Sequence, residues 1–286
     1  VFVHIAVIVP AFNVAEFLPD AIRSVLGQTH TDWSLVVVDD GSTDATAMVA
    51  SAFRDNRIGL IPQSNTGVSS ARNTGLAAAM ARTTPPDAVL FLDADDWLAP
   101  DALLHLAEAL HNAPRAVASV GRFARVRANE APRIAPRPPR GDLLERLLVR
   151  NLFANGGHLL IRQSAIAAAG NFRSDLTYGE DWEYWARLAR FGEFVPACSA
   201  GAQLFVRERL DGAYLSRATD PDAYRPALVA IHSNPGLAER LGTNRLGRLA
   251  RQSDAEVAWT VGRERIRHGC RRDGLRWLAR SIRAAP

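Results

Sequence analysis

Short apolar runs that end in acidic or small residues set the frame for this chain. Ile5-Ala6-Val7-Ile8-Val9 passes into Pro10-Ala11-Phe12-Asn13, and Val36-Val37-Val38 into Asp39-Asp40-Gly41-Ser42-Thr43-Asp44. Val89-Leu90-Phe91-Leu92 passes into Asp93-Ala94-Asp95-Asp96. Runs that are apolar at every position read as strands buried on both faces, the pattern of parallel sheets covered by helices. Between them, residues 16–26 carry Phe17, Leu18, Ala21, Ile22, Val25 and Leu26 at helical spacing, and residues 69–80 are rich in alanine. This alternation predicts an α/β fold, a mostly parallel, Rossmann-like sheet flanked by helices. Open sheets of that kind bind ligands beyond the carboxyl ends of their strands, so the three strand ends are expected to share one pocket.

The same reading puts strands at 34–38, 58–62 and 88–92. Helices are expected at 44–53, with Ser42 or Thr43 as N-cap, and at 100–111, opened by Pro100. Residues 116–127 read as a pair of strands, and 129–141, with four prolines, as an exposed loop. Helices follow at 142–151, 163–169 and 181–190, and strands at 158–162, 194–196 and 203–207. Beyond Asp220 the chain turns helical and arginine-rich.

Composition excludes some classes. All 34 basic residues are arginine, yet the net charge is only +4, which gives no support to nucleic-acid binding. Cys198 and Cys270 are far apart and have no metal-ligand spacing, which favours a reducing compartment. No apolar run approaches the roughly 20 residues of a membrane span, and Val1-Phe2-Val3-His4 has no basic leader. The expectation is a cytoplasmic protein, with the inner face of the membrane as an added option.

Asp93-Ala94-Asp95 carries two carboxylates two residues apart at a strand end. In extended backbone these share a face and can approach one divalent cation, Mn2+ or Mg2+. Taken alone, such a pair equally suits a turn or a helix cap. The surrounding segments weigh against that reading. Residues 7–13, 36–44, 65–76 and 90–98 closely resemble, in order, the signature segments of the family 2 glycosyltransferases. Gly179-Glu180-Asp181-Trp182-Glu183-Tyr184-Trp185 looks like the acceptor-side segment of that family.

The resemblance covers about residues 4–216 and implies a GT-A fold acting on a nucleotide-sugar, most simply a UDP-sugar, as a hexosyl- or N-acetylhexosaminyl-transferase. It implies a catalytic domain over 1–216, with a nucleotide-binding half at 1–112 and an acceptor-side half at 113–216. Beyond the resemblance, composition leads us to expect a helical, arginine-rich extension over residues 217–286. Pro10, Ala11 and Asn13 fall where the first strand meets the nucleoside, and Asp39 or Asp40 where a carboxylate accepts from the uracil N3–H. Asn65 and Arg72 fall on the segment along base and diphosphate, Arg72 holding either a carboxylate of the site or a phosphate. Asp93 and Ala94 fall at the ribose, and Asp93 and Asp95 at the metal. Asp181 is implied as the base of an inverting transfer, with Glu180 beside it and a saccharide or lipid-linked acceptor. Arg207 corresponds to a phosphate ligand, although Phe205 and Val206 replace the usual aromatic and the loop to Ser216 is longer. His158 either faces the donor sugar or is structural; Trp185 reads as core and Trp182 stays open. A sugar-nucleotide-binding relative without activity is disfavoured by the intact Asp95 and Asp181. A nucleotidyltransferase is disfavoured because Pro10-Ala11-Phe12-Asn13 is no glycine-rich phosphate loop.

From Gly262 to Arg283 there are eight arginines against two acidic residues. Ile266, Cys270, Trp277, Leu278 and Ile282 fit one apolar stripe. Such a helix either packs by that stripe with a solvated arginine face, the preferred reading, or makes peripheral contact with an anionic membrane.

Overall fold

The computed structural model describes residues 3–209 and 217–284. Its contacts divide the chain into two compact units, which do not meet at residue 216. The first comprises the described residues of Val1–Asp142, Phe153–Asp175 and Phe191–Glu208, the second those of Leu143–Leu152, Leu176–Arg190 and Arg209–Pro286. Two short stretches of the expected catalytic domain therefore fold with the C-terminal helices.

In the first unit, strands β1 (Ile5–Ala11), β2 (Trp33–Asp39), β3 (Ile58–Pro62) and β4 (Ala88–Phe91) alternate with helices α1 (Leu18–Leu26), α2 (Thr46–Ala52) and α3 (Val68–Met80). After β5 (Trp97–Leu98) come α4 (Ala102–His111), β6 (Ala116–Val120), β7 (Phe123–Val126) and β8 (Arg133–Ile134). Strand β9 (Leu159–Arg162), helix α6 (Gln163–Ala169), β10 (Glu193–Pro196) and β11 (Leu204–Arg207) complete it. The main sheet has seven strands in the order β10-β6-β9-β4-β1-β2-β3. Its strands β4, β1, β2 and β3 are parallel, whereas β9 runs antiparallel to both β4 and β6. The chain steps from β1 to β2 on one side and later returns to β4 on the other. That reversal of strand order opens the crevice in which such sheets bind ligands.

Alternation within the strands explains the layers. Ile5, Val7 and Val9 of β1 and Leu35 and Val37 of β2 share a core with Leu18, Ile22 and Val25 of α1 and Leu103, Leu106 and Leu110 of α4. Val36 and Val38 face the opposite way, onto Ala71 of α3. Gly75 lets α3 lie down on the sheet, since a Cβ there would sit 2.5 Å from the Ile8 Cγ2.

Residues 116–127 are not a paired hairpin. Strand β6 belongs to the main sheet, and β7 pairs instead with β11 and β8 in a sheet ordered β5-β11-β7-β8. The switch falls at Gly121, where a Cβ would meet the Gln203 side chain at 2.8 Å. Helix α4 starts two residues after the expected Pro100, because the Pro100 carbonyl is taken by the Thr29 N–H.

The second unit holds α5 (Leu144–Val149), α7 (Glu180–Leu188), α8 (Pro221–His232), α9 (Pro235–Leu241), α10 (Thr243–Arg267) and α11 (Arg271–Ala284). The basic tail is two helices rather than one continuous stripe. His268, Gly269 at φ 85° and exposed Cys270 break it. No described helix is long and apolar enough to cross a membrane.

Candidate functional site

At the carboxyl end of β1, Ala11 lies opposite Asp39 of β2. The chain then holds Asp40 by a hydrogen bond from its N–H to the Ala11 carbonyl, 2.8 Å. The Asp40 side chain is buried. One carboxylate oxygen accepts from Gln63 Nε2 (2.7 Å) and the Thr66 N–H (3.0 Å), and the other from the Gly67 N–H (2.9 Å). This carboxylate pins the 63–67 loop that leads into α3, so exposed Asn65 is carried at the same edge. Gly41, at φ 74°, lets the two loops touch: a Cβ there would lie 2.8 Å from the Asn65 nitrogen. Buried Asp39 accepts from the Ser42 N–H at 3.2 Å, so Asp40 is the more engaged of the pair.

Asn13 braces this loop. It adopts φ 48°, its side-chain oxygen accepts from the Thr43 N–H (2.8 Å), and its own N–H donates to the Ser42 hydroxyl (3.0 Å). That use of Ser42 and Thr43 displaces the expected N-cap. Instead Asp44 accepts from the Thr46 N–H at the start of α2, 2.9 Å.

Beyond β4 the chain makes a tight turn closed by the Asp96 N–H on the Asp93 carbonyl, 3.1 Å. Asp93 and Asp95 thus stand on a turn, not on one face of an extended strand as the spacing suggested, with Ala94 buried between them. Buried Arg72, on α3, donates from Nη2 to Asp93 Oδ1 at 3.0 Å, and its guanidinium lies 5.2 Å from the Phe172 ring centre. Of its two expected partners, Arg72 here holds a carboxylate of the site. Arg207 binds the same turn from β11. Its N–H donates to Asp96 Oδ1 (2.9 Å), Nε to the Asp95 carbonyl (3.1 Å) and Nη2 to Asp20 Oδ2 (2.8 Å). Phe17 and Trp97 flank its guanidinium at 4.9 and 4.8 Å.

Asp96 is a structural knot. It is 2 % exposed and receives Asn155 Nδ2 at 2.6 Å besides the Arg207 N–H. Burial, then the charges of Asp93 and Asp95, push its carboxyl well above the usual range. Among the described residues no three His, Cys, Asp or Glu side chains form a ready-made metal cage. Two carboxylates on a turn nevertheless fit Mg2+ or Mn2+, which complete their oxygen shell with water and substrate phosphate.

Glu180 and Asp181 open α7 in the second unit, after Gly179 at φ 75°. Asp181 accepts from its neighbour's Trp182 N–H (2.6 Å) and from Asn151 Nδ2 (3.3 Å), which orient the carboxylate. Trp182 is core: it is buried and its indole N–H donates to the Leu147 carbonyl. Trp185 is also buried, as expected, and Glu183 pairs with Arg187 one turn on, 2.8 Å.

His158 is structural. It is 2 % exposed, packed edge-on against Phe123 and Phe153, and burial pushes its imidazole down to about 4. The Ala154 N–H donates to Nε2 (3.2 Å), so Nδ1 carries the proton and donates to the Gly121 carbonyl (2.8 Å).

Asn155, Gln63 and Asp20 were not singled out from the sequence. Asn155-Gly156-Gly157 did carry a signal, since adjacent glycines mark close backbone approach. A Cβ on Gly156 would lie 2.7 Å from the Phe91 carbonyl at the end of β4. The serine-containing loop ending at Ser216 lies outside the described residues.

A reversal of strand order with acidic loops beyond it, and an arginine-held carboxylate turn after β4, make this architecture the GT-A fold. Structures of S. aureus TarS share it. One superposes with a TM-score of 0.68 at 18% identity, covering 88% of this chain and 43% of that one. TarS 1–349 with UDP-GlcNAc gives 0.64 at 16% identity over 91% and 82%. The mannosyltransferase PcManGT of Pyrobaculum calidifontis, in complex with GDP-Man and Mn2+, gives 0.56 at 18% over 90% and 74%. The family model described as Glycosyl transferase family 2 matches residues 6–169, and the chain belongs to that family. Glycosyltransferase GlyA of Streptococcus pneumoniae serotype 4 is 42% identical over 34% of this chain and 14% of its own length. The Escherichia coli UDP-Glc:alpha-D-GlcNAc-diphosphoundecaprenol beta-1,3-glucosyltransferase WfgD is 36% identical over 38% of this chain and 42% of its own. The matched stretches thus span less than half of these curated relatives.

Proposed function

We propose that this chain transfers a hexose or N-acetylhexosamine, with inversion, from a UDP-sugar to a saccharide or lipid-linked acceptor in cell-surface or exopolysaccharide synthesis. The observation that carries the reading is the assembly, at one sheet edge, of the Asp39-Asp40 loop, the Asn65 segment and the Arg72-braced Asp93-Asp95 turn. UDP and UDP-GlcNAc in TarS, and the UDP-glucose and diphosphoundecaprenol named for WfgD, support the donor and acceptor classes.

In this reading Pro10, Ala11 and Asn13 shape the nucleoside end, and Asp39 or Asp40 accepts from the base. Asp93 and Ala94 meet the ribose. Asp95 and Asp93 would hold Mn2+ or Mg2+, which supplies charge neutralisation on the diphosphate. Arg72 keeps Asp93 in place, and Arg207 reaches a phosphate by exchanging its contact with exposed Asp20. Asp181 takes the acceptor hydroxyl proton as that oxygen bonds to the anomeric carbon. The bond from that carbon to the diphosphate breaks, and its electron pair leaves with UDP. Glu180 receives hydrogen bonds from sugar or acceptor hydroxyls.

A donor screen that reads UDP release with and without Mn2+ tests this. Turnover of at least one UDP-sugar is expected; no turnover and no binding of any nucleotide-sugar would sink the reading. Asp181→Asn should lower kcat by 10²-fold or more while UDP affinity holds. Asp95→Ala should weaken both.

A further inference from the structure

Helix α11 carries a surface to which the proposed transfer assigns no residue. Gly274 and Ser281 of α11 turn inward, and a Cβ on Gly274 would lie 2.6 Å from the Gly262 carbonyl of α10. The other side is open. Leu275 and Ile282 are 60 % and 62 % exposed, and seven residues, close to two helical turns, put them on one face. Arg271, Arg272, Arg276, Arg280 and Arg283 are exposed on the same helix.

The acidic residues nearby are already engaged. Buried Glu264 accepts from Arg263 and Arg267, and Asp273 from Arg265. Among the described residues no carboxylate pairs with the five arginines of α11. A solvated arginine face accounts for the charges but not for two large aliphatic side chains held in register among them. A nucleic acid would meet the charges and leave the aliphatics in water. An anionic bilayer meets both, with phosphates for guanidinium groups and an acyl boundary for Leu275 and Ile282.

We propose that this face of α11 docks the protein on an anionic lipid surface, Leu275 and Ile282 entering beneath the headgroups and the five arginines pairing with lipid phosphates. The inference is independent of the transferase reading, because docking is measured without any sugar nucleotide.

The test is cosedimentation of the full chain with vesicles of phosphatidylcholine alone, or mixed with phosphatidylglycerol. Binding is expected only to the mixed vesicles, and to weaken as salt rises. Replacing Arg272, Arg276 and Arg283 by Ser should cost about fivefold per arginine, on the order of a hundredfold together. Leu275→Ser with Ile282→Ser should also weaken binding, with the far-ultraviolet circular dichroism unchanged. Failure of the unaltered protein to bind mixed vesicles overturns the proposal. So does binding that ignores the Leu275 and Ile282 changes while a DNA duplex competes for it, which would mark a general polyanion contact.

Discussion

Single residues around the Asp93–Asp96 turn divide into those that present charge and those that hold the presenters. Asp96 follows Asp93 and Asp95 directly in the chain, but it is buried and spent on Asn155 and the Arg207 N–H. Asn155→Ala would leave a buried carboxyl oxygen without its donor, a cost of about 1–3 kcal/mol. Urea denaturation should show that loss. Because the turn itself would loosen, Mn2+-dependent donor affinity should fall as well; unchanged stability would show that water replaces the amide. Asp40 follows the same logic, since its carboxylate is first a clamp on the Thr66 and Gly67 N–H groups.

Among the elements, α3 ties fold and site together most directly. Its residues Ala71 and Gly75 lie against β1 and β2, and this seats Arg72 within reach of Asp93. Gly75→Ala pits a helix-propensity gain of about 1 kcal/mol against overpacking of about 1–3 kcal/mol. Ile8 Cγ2 sits on a stiff β-branched side chain, so overpacking should win and thermal unfolding should come earlier. Raising α3 off the sheet should also lengthen the Arg72–Asp93 contact and weaken donor binding. A variant more stable than the parent would disprove the close packing.

For the whole molecule, His158 couples stability to pH. Its folded-state value of about 4 lies below the ordinary 6.5, so between those values the unfolded chain binds a proton that the native one does not. Stability from this group is full above pH 6.5 and is lost as pH falls toward 4, about 3 kcal/mol in all. Denaturation at a series of pH values should show that slope, and His158→Asn should flatten it. An unchanged slope in the variant would assign the acid sensitivity elsewhere.

Apolar periodicity made the α/β class, the strands β1, β2 and β4 and the acidic strand ends legible, because burial on both faces writes itself into consecutive residues. The helical character beyond Asp220 was legible too, from composition. Pairing over long separations had no such record. That β6 and β7 enter different sheets is decided by Gly121 against Gln203, 82 residues apart. That Asp96 is a knot and Arg72 a brace depends on Asn155 and Asp93, brought close only by packing. Local sequence specifies which backbone states are favourable, whereas the partner of each polar group is chosen by the folded surroundings that remove it from water.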